Sequence, residues 1–322
     1  MTPQKPGRAP SRRDRRARLR RLTVAAGALL TVTSCAVDSG PGGLKLVDAS
    51  GPLTPDAYTR KLTESAQSLS NALQVIGGAV KYSDVSARLS EARNAADRTK
   101  QALNELTPPK DARTAHSQLV VALFQFSRDM NVIDQEVQGQ RLCTVQAVQH
   151  RVGSATGARL LREAADRLKT APGGHAFPAT IADPGPRTEH REPNGRLLKK
   201  GPRGGRGDLI VENNGESDAV VSLTRSGKAV FTVYVRKKGK TTIKDIADGS
   251  YRIMYTTGSD WDTKAKRFSR DCDVQQSVDD TTFSTTVSGG YIRWQNWTYT
   301  ISPTSGGNSV TTRGKPDDFP VD

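Results

Sequence analysis

The sequence is poor in the side chains that most often carry catalysis. Its 322 residues include three cysteines, four histidines and three tryptophans. None of the histidines or cysteines lies in an H-E-x-x-H, C-x-x-C or G-x-S-x-G motif, the patterns typical of metal-dependent or nucleophilic hydrolases. We therefore expect a protein that is not an enzyme, with no catalytic residues, no bound metal and no cofactor.

The sequence also lacks a long apolar run. A membrane-spanning helix needs about 20 apolar residues, whereas the run at residues 22–34 has only 13. Eight arginines and one lysine precede it, with a single acidic residue among them. A basic segment before a short apolar one is typical of an export signal. We expect residues 1–34 to be a signal peptide, so that the rest of the chain works outside the cytoplasm.

A strongly basic surface is missing once the charge is followed along the chain. The formal net charge is +15, but the 288 residues after the predicted signal peptide carry only +7. Residues 208–322 hold 15 basic and 15 acidic side chains. A surface that follows a phosphate backbone needs clustered basic side chains with aromatic residues between them. Nucleic acid is therefore not expected as a partner.

Cys35, the first of the three cysteines, follows the apolar run directly. The sequence Val-Thr-Ser-Cys at residues 32–35 resembles the lipobox of bacterial lipoproteins, here of an actinobacterial type. The resemblance implies that Cys35 takes a diacylglyceryl group with acyl chains such as palmitate and becomes the mature N-terminus. Two acyl chains give a stable anchor, because each buried methylene contributes about 0.8 kcal/mol. The alternative is that Cys35 is only a small apolar residue in an uncleaved signal.

The expected location is therefore the outer face of the cytoplasmic membrane, and the expected partner is the membrane itself, bound through the lipid on Cys35. Residues 35–53 are small, contain glycine and proline, and lack an apolar period. Such a composition is typical of a flexible tether.

Residues 54–170 have the pattern of amphipathic helices. The Thr-Pro-Asp sequence at residues 54–56 is typical of a helix start, since threonine caps, proline fits the first turn and an acid favours the positive end of the helix dipole. Apolar residues then recur every three or four positions. The expected breaks are at Gly77-Gly78, at Pro108-Pro109 and between Gly153 and Gly157. Short connections between such helices predict an antiparallel helical bundle.

After residue 170 the chain contains two further segments that differ in composition and in apolar period. Residues 171–207 contain six prolines and eight glycines, which predicts a flexible basic linker without a core. Residues 208–322 show an apolar period of two, and turn signals interrupt it every eight to twelve residues. This pattern predicts an antiparallel β-sandwich. The expected fold class is therefore α+β with two domains.

Part of this last segment resembles a β-sandwich module of bacterial surface proteins. The run from "GDLIVENN" to "KRFSRDC" at residues 207–272 carries the resemblance, together with the later "WTYTISP". The piece "IADGSYRIMY" is similar to a turn of transthyretin-like and carboxypeptidase-regulatory-like sandwiches. Although a fold does not define a function, the resemblance implies an interaction or binding module without catalytic activity. A cell-envelope protein or a wall polymer is the expected partner of such a module.

Two cysteines remain once Cys35 is lipidated. Cys143 belongs to the predicted bundle and Cys272 to the predicted sandwich. Disulfides persist outside the cytoplasm, and an even number of cysteines favours their pairing. A bond between them would hold the helices against the strands. Two separate buried thiols are the alternative.

The stretch "GSDWDTKAK" at residues 258–266 is predicted to be a long surface loop. Asp260, Trp261 and Asp262 are candidate ligand-binding residues, because an aromatic face beside carboxylates can stack on a sugar or a cation. A lipoprotein that binds carbohydrate or cell-wall polymer is therefore the alternative function. In the opposing interpretation Trp261 covers one end of the sheet, and the aspartates accept hydrogen bonds from turn amides.

The other two tryptophans lie near the end of the predicted sandwich. Trp294 and Trp297 are three residues apart in one predicted strand. Because side chains alternate between the faces of a strand, the spacing predicts that one of them fills the core.

Overall fold

In the computed structural model, residues 51–78, 81–302 and 310–320 are described. They form helices in the first half and strands in the second, which is an α+β arrangement, and the described elements belong to one compact unit. Cys35, the predicted signal peptide and most of the predicted tether lie outside the described residues. Within the described ranges, no helix is both long enough and apolar enough to cross a membrane.

The helical part contains five helices within the described residues. They are α1 (Pro55–Gly77), α2 (Val85–Asn104), α3 (Arg113–Gln138), α4 (Val145–Gly153) and α5 (Thr156–Thr170). The side chain of Thr54 caps α1 by accepting a hydrogen bond from the amide of Ala57, as the sequence predicts. The predicted breaks are confirmed as well, because each of them falls at or within a few residues of the end of a helix.

The apolar stripes of the helices meet in one core. Helices α1, α2, α3 and α5 supply most of its fully buried side chains, among them Tyr58, Leu89 and Phe126. Helices α2 and α3 run antiparallel, because Arg93 bonds to Asn131 while the later Asp97 bonds to the earlier Ser127. Burial of this stripe provides most of the stability that short helices lack in water.

The segment that follows α5 contributes more buried side chains than its composition predicts. Phe177 and Ala179 are buried in the helical core, and His175 is fully buried. Leu197–Lys199 forms a short strand, β1, on the edge of a sheet. The expectation of a linker that contributes no core residues is therefore wrong for these positions. Scattered apolar residues among prolines give no periodic signal, although each of them can fill a gap beside α5.

The strand part contains ten further strands among the described residues. They are β2 (Arg203–Asn213), β3 (Asp218–Arg225), β4 (Lys228–Val235), β5 (Lys240–Ile246), β6 (Gly249–Asp262), β7 (Arg267–Phe283), β8 (Thr286–Ser288), β9 (Tyr291–Arg293), β10 (Trp297–Ile301) and β11 (Thr311–Gly314). The turn between β3 and β4 uses Ser226 and Gly227, both with positive φ. This is the geometry that a two-residue hairpin loop requires.

The strands form three sheets. The largest has the order β1-β4-β3-β6-β7-β11, a second has the order β10-β2-β5, and β8 pairs with β9. All these pairs are antiparallel except β10 with β2. The six-stranded sheet buries side chains on both faces, since Val221 belongs to a core shared with β2 and β5 while its neighbour Val220 lies in a second core with Trp261.

Helix α5 approaches α3 closely at Gly157. A Cβ atom at this position would collide with the backbone of Phe126, and the Gly157 amide donates a hydrogen bond to the Asp129 carboxylate at 2.6 Å. Glycine therefore permits the contact between the two helices.

We predict that Gly157→Ala lowers the free energy of unfolding by about 2 kcal/mol, because an extra methyl group in a tight contact forces the helices apart. Urea denaturation would measure the change. The matched control is Gly77→Ala at the end of α1, where a Cβ meets no neighbouring atom, so no loss is expected. Equal stability of the two variants would contradict the proposed role of Gly157.

Candidate functional site

Trp261 is the second-to-last residue of strand β6, and its ring is buried. The side chain is only 3% exposed. It makes edge-to-face contacts with Phe268 and Tyr234, at centroid distances of 5.2 and 5.9 Å. Strand β6 continues through Asp262, so only residues 263–266 connect it to β7 and the loop is shorter than predicted. The ring covers the sheet, which is the opposing interpretation of the sequence, and its faces are not presented to solvent.

The two aspartates beside Trp261 already have protein partners. Buried Asp260 forms an ion pair with Arg187 and accepts a hydrogen bond from the His190 amide at 3.0 Å. Asp262 accepts hydrogen bonds from the amides of Lys264 and Ala265 at 2.9 and 2.8 Å. The structure thus brings the three predicted residues together, but the Asp260 carboxylate and one oxygen of Asp262 are already bonded to protein groups.

A hydrogen-bonded cluster around one buried carboxylate lies on the same sheet, and the sequence does not reveal it. Buried Asp218 accepts hydrogen bonds from Arg191, from the Tyr234 hydroxyl and from the Lys237 amide. Burial alone would raise the pKa of Asp218, but these hydrogen bonds outweigh it and hold the pKa below its ordinary value of 3.8. Since every donor is a fixed protein group, the cluster fastens the segment around Arg191 to the sheet.

Each of the four histidines has a protein partner among the described residues. His116 and His175 contact Tyr58, whose hydroxyl lies 2.9 Å from Nδ1 of His116. Burial lowers the pKa of both rings. His150 bonds to a backbone carbonyl, and His190 lies near Glu192. Among the described residues, no group of three or more His, Cys, Asp or Glu side chains is arranged to hold a metal ion.

The two remaining cysteines meet where the helical part contacts the strand part. Cys143 precedes α4, Cys272 lies in β7, and their sulfurs are at disulfide-bond distance with Cα atoms 6.3 Å apart. The surrounding backbone is paired as well. The Cys143 amide donates to the Ser269 carbonyl at 2.9 Å, and the Cys272 amide donates to the Gln140 carbonyl at 3.0 Å. Residues 140–143 therefore run along β7 like a short extra strand.

Among the clefts that border the loop after Trp261, two share Asp262. The larger has a volume of about 890 Å³, and its lining includes Tyr82, Gln146, Gln149, Lys264 and Arg267. The smaller has a volume of about 380 Å³, and its lining includes His150 and Asp260. Asp262 lines both. Both linings include charged and amide side chains that can hydrogen-bond to a hydroxyl-rich ligand.

A separate feature is the hairpin of β8 and β9. Thr286 pairs with Arg293, Val287 with Ile292 and Ser288 with Tyr291. The connecting residues Gly289 and Gly290 have φ values of +58° and +79°, as a type I′ turn requires. A Cβ at either glycine would meet no neighbouring atom. The turn is therefore the free end of a projecting element.

The hairpin and the chain after it expose large apolar side chains. Val287 and Tyr291 are 73% and 72% exposed, and Ile292, Trp294 and Trp297 are exposed as well. The prediction that one of the two tryptophans fills the core is wrong. Strand β9 ends at Arg293 and β10 begins at Trp297, so the two rings do not alternate along one strand.

The base of this hairpin is held to the sheets by polar contacts. Asp248 accepts hydrogen bonds from the amide and hydroxyl of Thr285 at 2.8 and 3.0 Å. The Trp297 ring nitrogen donates to the Thr282 carbonyl at 2.9 Å, and Asn296 accepts from the Asp208 amide. We define the exposed hairpin surface as the side chains of Val287, Tyr291, Ile292, Arg293 and Trp294. It is presented on a fixed base.

Comparison with protein-family models, with curated proteins and with solved structures found no match to this chain. The candidate sites therefore rest on geometry and chemistry alone.

For the cysteine pair, we predict that the chain with Cys35→Ala shows no reactive thiol when it is denatured without reductant, and two after reduction. Reduction should lower the free energy of unfolding by roughly 4 to 5 kcal/mol, because the bond closes a long loop. Thiol labelling with mass spectrometry and urea denaturation would measure both effects. As control, a chain that also carries Cys143→Ser and Cys272→Ser should not respond to reductant. Two labelled thiols before reduction would contradict the bond.

Proposed function

We propose that the chain is a lipid-anchored, non-enzymatic protein of the outer face of the cytoplasmic membrane. In this proposal, Cys35 carries the diacylglyceryl anchor after removal of residues 1–34, and residues 35–53 form the tether. The described part then acts as an interaction module for another component of the cell envelope. The basic segment, the short apolar run and the Val-Thr-Ser-Cys sequence support the anchor.

The observation that carries the binding role is the exposed hairpin surface. Soluble proteins seldom expose apolar side chains next to one another without a binding function. Here Val287 and Ile292 are neighbours across the two strands, and Tyr291 and Trp294 lie beside them in sequence. Because the base is hydrogen-bonded to the sheets, binding at the tip would require little ordering of the chain.

We further propose that the strand part is a β-sandwich domain beside a helical domain. The core shared between the two larger sheets supports this, since Leu209 and Ile243 of the three-stranded sheet pack with Val221 and Phe231 of the six-stranded sheet. Inner side chains that meet between two sheets are typical of sandwiches.

We predict that the wild-type chain expressed in a bacterium with lipoprotein processing incorporates labelled palmitate and sediments with membranes. Cys35→Ala should abolish the label, because the acceptor sulfur is gone. Metabolic labelling and mass spectrometry of the mature N-terminus would measure this. Ser34→Ala keeps a small residue before the cysteine and is the matched control. Equal labelling of the wild-type and Cys35→Ala chains would contradict lipidation.

The alternative function is binding of a carbohydrate or wall polymer beside Trp261. The two polar clefts that share Asp262 favour it. In this case the ligand would contact Asp262 and Lys264 rather than the buried indole ring.

If this alternative holds, Asp262→Ala and Lys264→Ala should weaken binding of wall fragments by about tenfold, since each removes a polar contact to the ligand. A glycan screen followed by calorimetry would measure it. Tyr291→Ser on the distant hairpin is the control and should bind as the wild type does. Loss of binding only in the control would contradict the cleft as the site.

A further inference from the structure

The exposed hairpin surface has apolar side chains on both of its faces. Val287 and Ile292 form one directly opposed pair, and Ser288 and Tyr291 form the next pair. Because side chains alternate along a strand, the Val287 pair lies on one face of the hairpin and Tyr291 on the other. A flat protein or sugar surface would cover one face and leave the other in water. A fluid medium such as a lipid headgroup layer would surround both faces of the hairpin.

The charges near the hairpin favour an anionic medium. Residues 281–302 contain no acidic side chain, and Arg293 is the only charged one. The Arg206 guanidinium lies 5.9 Å from the centre of the Trp294 ring. At the base, the Asp248 carboxylate accepts hydrogen bonds from the amide and hydroxyl of Thr285. Basic side chains beside an apolar tip are attracted to anionic lipid headgroups.

The aromatic side chains and the size of the hairpin fit the interfacial layer of a bilayer. Trp and Tyr prefer this layer because their rings combine an apolar body with a polar group. Strands of three residues, at about 3.3 Å per residue, give a projection of about 10 Å. Interfacial elements enter a bilayer to a depth of about 5–10 Å. Among the described strands, β8 and β9 pair only with each other, and their open edges would keep them out of the hydrocarbon core.

We propose that the exposed hairpin surface inserts into the headgroup region of an anionic bilayer and forms a second membrane contact besides the lipid on Cys35. This deepens the proposed function, because it rests on the hairpin as the binding surface and names the partner. The two contacts would act together, since a tethered protein meets the membrane at a high effective concentration. Insertion itself requires no lipidation.

A fluorescent probe at the tip tests the proposal without the anchor. The full chain with Cys35→Ser and Ser288→Cys would carry an environment-sensitive fluorophore at residue 288. Added vesicles would contain phosphatidylcholine alone or mixed with phosphatidylglycerol. We expect a blue shift and a rise in emission only with phosphatidylglycerol. The same probe at Thr63→Cys, on an exposed position of α1, should not respond, even if the apolar leader binds the vesicles.

Substitutions on the hairpin then test which side chains act. Val287→Ser with Ile292→Ser, and separately Arg293→Glu, should raise the lipid concentration needed for half the signal by about tenfold. Arg60→Glu, on the exposed surface of α1, changes the net charge equally and should have no effect. Circular dichroism would check that each variant melts as the parent chain does, which is expected because these side chains lie outside the cores.

A silent probe with both kinds of vesicle, or a signal that these variants do not change, would overturn the lipid assignment. Photo-crosslinking from residue 288 in intact cells separates this result from a failure of the proposed function. Capture of a protein or wall polymer together with a silent probe on vesicles would leave the hairpin as a binding surface with another partner. A probe that is silent on vesicles and captures nothing in cells would overturn both proposals.

Discussion

The contact around Cys143 and Cys272 is the constraint on which the arrangement of helices and strands depends. The sulfurs lie at disulfide-bond distance, and residues 140–143 add backbone hydrogen bonds to the outer side of β7. Tyr82, just before α2, donates its hydroxyl proton to the Leu142 carbonyl at 2.6 Å. Covalent and hydrogen-bonded links therefore fix one end of the helical part on the sheet, and the clefts beside Trp261 take their shape from this contact.

The six-stranded sheet is covered by other segments on both of its faces. One face packs against β2, β5 and β10, and the other receives Cys143, Trp261 and the segment around Arg191. The buried Asp218 and Asp260 hold that segment through arginines. A buried carboxylate is tolerated only when it is paired and hydrogen-bonded, so both aspartates stabilise this packing as long as their arginine partners are present.

The sequence predicts elements better than it predicts the contacts between distant segments. The helix start at Thr54, the stripes of α2 and α3, and the turn at Ser226 and Gly227 depend on neighbours within a few residues, and their patterns are visible. Arg191, by contrast, lies among prolines, and its partner Asp218 is 27 residues away. No local periodicity links the two, so the cluster could not be predicted.

The candidate sites illustrate the same limit. The two aspartates and Trp261 do come together, but only the packing of Tyr234 and Phe268 decides that the indole is covered. The exposure of Trp294 and Trp297 depends on the interruption between β9 and β10 at residues 294–296, which contain no glycine or proline. Adjacent glycines such as Gly289 and Gly290 are a local turn signal, whereas the position of this turn away from the larger sheets follows only from tertiary contacts.

The cysteine contact also has a mechanical consequence. The described residues begin at residue 51, and the exposed hairpin surface lies late in the sequence, after β7. Under tension between these two points, the covalent path runs from residue 143 directly to residue 272 and bypasses the 129 positions of sequence separation. Strands β1 to β6 and helices α4 and α5 lie inside that bypass. In a tethered molecule pulled at its tip, the load would therefore pass through α1 to α3 and through the part of β7 that follows Cys272, while β1 to β6, α4 and α5 stay outside the loaded path.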